Sequence, residues 1–221
     1  VVYPEGGRGE RLLADAERAL TEVGAEVVGL PVDATAVDQA FLAERLRAFA
    51  EAARRSGAAP DAEAGVLSLL SADDRPHPGF AGVPAGVLAT LSLTRAAVDG
   101  PVRVRLWCLS LGAVAVTDPE RPDPAGAALW GLGRVAALEH PDLWGGLVDL
   151  PEEPDPADWR AAAARLGGPE DQVAVRDATG WGRRLTRARR SEAAGRSGYR
   201  PRGTVLVTGG LGALGARVAR R

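Results

Sequence analysis

The chain of 221 residues contains no lysine, no asparagine and no methionine. All 27 of its basic residues are arginine. Its one cysteine, Cys108, has no partner for an internal disulfide, which fits a reducing, cytoplasmic setting. Acidic residues number 29, so the net charge is only −2, and there is no basic field of the kind that nucleic acid or an anionic membrane surface requires. No apolar run approaches the ~20 residues of a membrane-spanning helix. The opening "VVYPEGGRGE" has neither the basic nor the apolar region of a secretory signal. Since no methionine starts it, the chain is expected to be processed or cut from something longer.

What is present is a hydrophobic content of 46%, ample for a packed core. Apolar runs alternate with segments of helical spacing. Val1–Tyr3 reads as the end of a strand. Arg11–Val23 places Leu12, Ala16, Leu20 and Val23 on one helical face. Ala25–Val32 and Gly65–Leu70 read as strands, the second apolar throughout, as in a sheet covered on both sides. Val37–Arg54 and Val83–Val98 read as helices, with a Pro/Gly-rich loop over Ala72–Pro84. Val102–Leu111, Gly145–Leu150 and Gln172–Arg176 follow as strands. Pro124–His140 and Ala157–Leu166 are helices between them, the first with Pro at its start and Pro141 just past its end. Arg183–Arg189 alternates weakly, as an edge strand would. The pattern predicts an α/β fold, a Rossmann-like, mostly parallel sheet with flanking helices, over residues 1–190. The stretch "SEAAGRSGYRPR" over residues 191–202 reads as a linker. Residues 203–221 then open a second Rossmann fold.

That opening is "TVLVTGGLGALG". Gly210, Gly212 and Gly215 fit GxGxxG, and Thr208, Gly209, Gly212 and Gly215 also fit TGxxGxxG. In such a turn one glycine permits the bend, one lets the backbone approach a pyrophosphate, and the last lets helix and strand pack closely. A lone GxGxxG is weak, but a preceding strand and a following helix are its confirming context. The candidate cofactor-binding residues are therefore Thr208, Gly209, Gly210, Leu211, Gly212, Ala213, Leu214 and Gly215. The residue that reads the ribose is expected ~20 positions further on, beyond Arg221.

With this turn, "WCLSLGAVAV", "ALWGLGRVAALEHPDLWGGLVDLP", "DQVAVRD" and "RPRGTVLVTGGLGALG" follow in order. Together they resemble the ketoreductase domain of modular type I polyketide synthases. The resemblance covers nearly the whole chain. It implies two Rossmann-like halves, of which the first is structural and holds no cofactor, while the second is a short-chain dehydrogenase/reductase. It further implies NADPH as cofactor and a β-ketoacyl thioester on an acyl carrier protein as substrate. The partners it implies are the catalytic half of the same ketoreductase and other polyketide synthase domains. In place of Leu211 the family usually carries a small hydroxyl residue, so a side-chain contact to phosphate is missing. Short-chain reductases use a tyrosine with a lysine four residues later, together with a serine and usually an asparagine; the cation makes the phenol acidic enough to act. Here Tyr3 and Tyr199 are followed at that spacing by Gly7 and Gly203. No catalytic residue is assigned, and the chain alone is expected to be inactive. The alternative is a non-catalytic scaffold that stabilises a separate catalytic half.

The remaining features have plain readings. Glu5 and Glu10 flank "GGRG" and would repel phosphate, so Pro4–Glu10 reads as a flexible connection. His77 and His140 have no second ligand at metal spacing. Asp73 and Asp74 read as a solvated loop pair. Cys108, Trp107, Trp130 and Trp144 read as core or subdomain-interface residues. The basic run Arg183–Arg190 reads as a wet face.

Overall fold

A computed structural model describes residues 1–55, 64–100, 104–117, 119–187 and 202–220. The chain divides into two compact units, Val1–Arg183 and Arg184–Arg221. The expected linker, 191–202, lies outside the described residues except for Arg202.

The first unit runs β1 (Val2–Pro4), α1 (Gly7–Glu22), β2 (Leu30–Val32), α2 (Gln39–Arg55) and β3 (Gly65–Ser68), followed by a 3-10 turn (Leu70–Ala72). A hairpin of β4 (Pro76–His77) and β5 (Phe80–Pro84) leads into α3 (Ala85–Asp99). Then come β6 (Arg105–Leu111), α4 (Pro124–Glu139), β7 (Trp144–Leu150), α5 (Pro156–Ala163), β8 (Gln172–Arg176) and β9 (Thr179–Gly182). Seven strands form one sheet in the order β2-β1-β3-β6-β7-β8-β9. All neighbours in it are parallel except β8 and β9.

Because successive strand residues face opposite sides, the sheet feeds two cores. Leu147 joins Leu42, Leu93, Leu129 and Trp130 beneath α2, α3 and α4. Val148 and Leu150 join Leu12, Ala16 and Trp159 beneath α1 and α5. Each fully buried leucine contributes about 1.5–3 kcal/mol. Helix starts are set locally. The Asp123 carboxylate accepts from the Ala125 and Gly126 N–H groups at 3.3 and 2.6 Å, with Pro124 in the first turn. Asp155 and Asp158 form a reciprocal capping box on α5, an arrangement worth about 1 kcal/mol.

Several boundaries differ from the sequence reading. Pro4–Glu10 is no flexible connection, since α1 begins at Gly7. It does so because Gly9 lies against the Pro4 carbonyl, where a Cβ would fall 1.8 Å from the oxygen. β2 covers only Leu30–Val32, since a strand ends where its three-residue partner β1 ends. The loop over 72–84 contains the β4–β5 hairpin, with the Phe80 ring against His77 and the Gly79 N–H donating to His77 Nδ1 at 3.1 Å. Asp73 is buried rather than solvated, gripped by Arg75 through Nε and Nη2 at 2.8 and 2.6 Å. Cys108, Trp130 and Trp144 are core residues, and Trp107 is half-buried against the α1–α5 core.

The edge strand lies at Thr179–Gly182 and not at Arg183–Arg189; residues 183–187 are irregular, and 188–189 fall outside the described residues. Asp177 and Ala178 both adopt positive φ, 49° and 56°, at the two central positions of the hairpin turn. That backbone ordinarily selects Asn-Gly or Asp-Gly. Here Asp158 Oδ1 accepts from the Ala178 N–H at 2.8 Å and helps hold it.

Candidate functional site

The second unit, taken by itself, contains the glycine turn and α6 (Ala213–Ala219). Thr204–Val207 is not a strand: among the described residues no strand pairs with it, and Leu206 is exposed. Apolar residues favour strand geometry, but a strand exists only through a paired neighbour.

The turn itself is formed. Gly209 has φ of +67°, the left-handed region that L side chains seldom enter. The Gly210 N–H donates to the Val207 carbonyl at 3.2 Å, and the Gly212 N–H to the Gly209 carbonyl at 2.9 Å. Gly212 caps α6, and the Ala216 N–H donates to the Gly212 carbonyl at 2.9 Å. A Cβ on Gly215 would fall 2.1 Å from the Gly209 oxygen. Helix and turn thus approach too closely for any side chain there. Thr208, Leu211, Ala213 and Leu214 are exposed around this bend. The eight candidate residues therefore form one continuous segment, a turn that runs into the start of α6, whose tight spots are glycine. This shape fits a pyrophosphate approached by backbone N–H groups. Leu211 is fully exposed and brings no polar side-chain atom.

In the first unit, strand order reverses direction between β1 and β3, the switch point where open α/β sheets take ligands. Around that point the neighbouring segments are tied closely together. The Glu5 N–H donates to the Val32 carbonyl at 2.9 Å, and the Leu69 N–H to the Val2 carbonyl at 2.8 Å. A Cβ on Gly86, at the start of α3, would fall 1.9 Å from the Leu70 oxygen. Ser71 Oγ donates to the Leu109 carbonyl at 2.5 Å.

A polar cluster that the sequence reading missed closes the carboxyl ends of β6, β7 and β8. Asp149 is fully buried and accepts from Ser110 Oγ at 2.6 Å, the Ala113 N–H at 2.8 Å and Arg176 Nη2 at 2.8 Å. Trp130 Nε1 donates to Ser110 Oγ at 2.9 Å. Arg176 also donates to Glu120 at 3.0 Å and to the Val114 carbonyl at 2.7 Å. Burial pushes the Asp149 carboxyl above its ordinary value, against the opposing pull of Ser110, Arg176 and Ala113. The legible signal was an aspartate inside the apolar strand "GGLVDL", since a buried charge needs a partner. Among the described residues no group of three or more His, Cys, Asp or Glu could hold a metal ion, and no helix is long and apolar enough to cross a membrane.

Comparison with known proteins follows this geometry. The Rossmann-fold domain family of the polyketide synthase extender module SpnB matches residues 13–185. Polyketide synthase GfsA of Streptomyces halstedii is 47% identical over 228 residues, taking in 100% of this chain and 3% of that protein. Pikromycin polyketide synthase component PikAII of Streptomyces venezuelae is 42% identical over 230 residues, with 100% of this chain and 6% of the relative covered. Among solved structures, the first ketoreductase of the tylosin PKS superimposes with a TM-score of 0.75 at 42% identity, over 99% of this chain and 44% of that one. A C2-type ketoreductase from a modular polyketide synthase does so with a TM-score of 0.74 at 43% identity, over 85% and 40%. This chain thus spans less than half the length of those ketoreductases and a few per cent of the synthases. By the match of its sheet-forming residues, and by its likeness to solved ketoreductases, the chain belongs to the Rossmann-fold ketoreductase region of modular polyketide synthases.

Proposed function

We propose that the chain is the structural half of a β-ketoreductase together with the opening segment, glycine turn and first helix of its catalytic half. The observation that carries this reading is the formed glycine turn within Thr208–Gly215, which follows a Rossmann-like sheet matched by the polyketide synthase Rossmann-fold family over residues 13–185. The complete ketoreductase transfers hydride from NADPH to a β-ketoacyl thioester on an acyl carrier protein, leaving the β-hydroxyacyl form. In this reading Gly209 to Leu214 form the pyrophosphate cradle: the Gly210 and Gly212 N–H groups hold the bend through the Val207 and Gly209 carbonyls, other backbone N–H groups of the segment meet the phosphates, and Gly215 lets α6 sit close. NADPH, once bound, supplies the hydride. The ribose-reading residue and the proton-donating tyrosine with its lysine come from the part of the ketoreductase that follows Arg221. In the complete ketoreductase the chain works in the cytoplasm, beside the other domains of its synthase.

The 221-residue chain contains no lysine or asparagine, so it cannot assemble the tyrosine–lysine pair of a short-chain reductase. Purified alone and given NADPH with a β-ketoacyl N-acetylcysteamine thioester, it should consume no NADPH. Joined at Arg221 to the part of the tylosin ketoreductase that follows the matched region, it should reduce the thioester. Turnover by the chain alone would overturn the reading. A folded chimaera that binds no NADPH would favour the scaffold alternative.

A further inference from the structure

β1 lies inside the sheet, between β2 and β3, yet covers only Val2–Pro4, whereas β6 and β7 have seven residues each. Its register leaves both neighbours part-paired. Val2 stands opposite Leu30 of β2 and Ser68 of β3. Gly65, Val66 and Leu67 pair with β6 on one side, and among the described residues no strand pairs with them on the other. Such an edge inside a sheet leaves backbone groups without the ladder that a buried strand needs. Across from it, "AEVVG" over 25–29 has strand composition and stays irregular. Val28 lies on the same side of the sheet as Leu30. Leu30 packs on the core that holds Val2 and Val66, but Val28 is 54% exposed. Between the two edges lies the Val1 ammonium. It donates to the Val28 carbonyl at 2.6 Å, while the Leu30 N–H donates to the Val1 carbonyl at 2.8 Å. That is the parallel ladder, carried one residue beyond β1. Burial lowers the ammonium's pKa from 8.0 to about 6, against an opposing pull from Glu17.

We propose that the open edge between Glu26–Val28 and Gly65–Val66 takes the residues that precede Val1 in a full-length synthase, which lengthen β1 by at least two positions. The register fixes their places. The residue just before Val1 falls between Val28 and Val66, on the side of the core beneath α2, α3 and α4. An apolar, β-branched side chain suits that place and covers Val28. The residue before it falls between Val27 and Gly65, on the opposite side. There the Trp107 ring lies over Gly65, where a Cβ would fall 2.6 Å from it. A large aromatic side chain suits that place, against the edge of the indole. Two observations choose a joined segment over a separate peptide. The synthases are far longer than this chain, which matches 3% of GfsA. A peptide bond at the Val1 nitrogen also replaces the buried ammonium with a neutral N–H that keeps the Val28 contact, whereas a separate strand would end against the charge. The proposal does not depend on the cofactor turn.

Three extended forms of the 221-residue chain test this, all behind the same Met-Ser-Gly leader. They carry Trp-Ile, Trp-Asp or Gly-Ser directly before Val1. The Trp-Ile form should melt about 4 °C or more above the Gly-Ser form. Site-resolved hydrogen exchange should show the Val28 and Leu67 amides slowed by at least about tenfold, since both become ladder donors to the added residues. The Trp-Asp form should lose most of this gain, because its carboxylate falls on the core side. Equal melting and equal exchange in the Trp-Ile and Gly-Ser forms would overturn the proposal. So would a Trp-Asp form as stable as Trp-Ile, because the register would then be wrong. The separate peptide acetyl-Ser-Gly-Trp-Ile-amide, added to the unextended chain, should leave both amides open. Protection by it equal to that of the joined form would assign the edge to a partner in trans and sink the joined segment. A Gly-Ser form that fails to fold beside a folded Trp-Ile form supports the proposal. Where both fail, the same extensions are read in the tylosin chimaera, with the same outcomes.

Discussion

Arg176 and Asp149 meet at 2.8 Å at the carboxyl end of the sheet, where the aspartate is fully buried and the arginine side chain is 14% exposed. The pair joins β7 to β8, and through Glu120 and the Val114 carbonyl it pins the loop after β6. Breaking such a pair costs more than the pair itself is worth, because the surviving charge stays buried.

Arg176→Met should therefore lower unfolding stability by about 3–5 kcal/mol. Its pH dependence follows from Asp149, whose folded-state pKa burial already holds above the ordinary 3.8. Loss of the guanidinium raises it further. Over the window above 3.8 the folded variant holds a proton that the unfolded chain has released. Stability of the variant should then decline as pH climbs through that window, and the deficit should be smaller in mildly acid than in neutral buffer. Urea unfolding at the two conditions measures it. An equal deficit in both would remove Asp149 as the cause.

Burial pushes the Cys108 thiol far above its ordinary range. Since the thiolate is the reactive form, native chain should resist thiol reagents and become labelled only at the rate of unfolding. Stopped-flow labelling across a urea series checks this. Rapid labelling in native buffer would mean that the α2–α4 core opens locally.

Gly9 and Gly131 make a contrasting pair. Gly9→Ala places a methyl group against the Pro4 carbonyl and should cost about 1–3 kcal/mol through overpacking. Gly131→Ala, in open space within α4, should stabilise by up to about 1 kcal/mol through helix propensity. Thermal unfolding of the two variants should move in opposite directions.

Leu211 presents its whole side chain to solvent in the candidate cofactor turn. Leu211→Ser in the tylosin chimaera should add one hydrogen bond to phosphate, worth about 1 kcal/mol. NADPH should then bind roughly fivefold more tightly, measured by fluorescence titration. Unchanged affinity would mean that backbone N–H groups alone hold the phosphates at this position.

Much was legible in the sequence because it is encoded within a few neighbouring residues. Alternating strand and helix periods placed the sheet strands from Gly65 to Arg176 and the helices between them, to within a few residues. Glycine spacing after "TVLV" located the turn, and the proline at position 124 marked the start of α4. The absence of lysine and asparagine ruled out the reductase tetrad without any coordinates. Long-range partners decided the rest. Gly9 starts α1 early because Pro4 lies across from it. Asp177–Ala178 turns without the usual glycine, with Asp158 holding the Ala178 N–H from 20 residues away. The Ser110–Asp149–Arg176 cluster forms because three strands end side by side. Thr204–Val207 has every local mark of a strand and is none, since pairing is a property of two segments. The sidedness of α4 follows likewise: its composition is apolar nearly all round, and only the packed fold decides that Leu129, Trp130, Gly133 and Ala136 are the buried side.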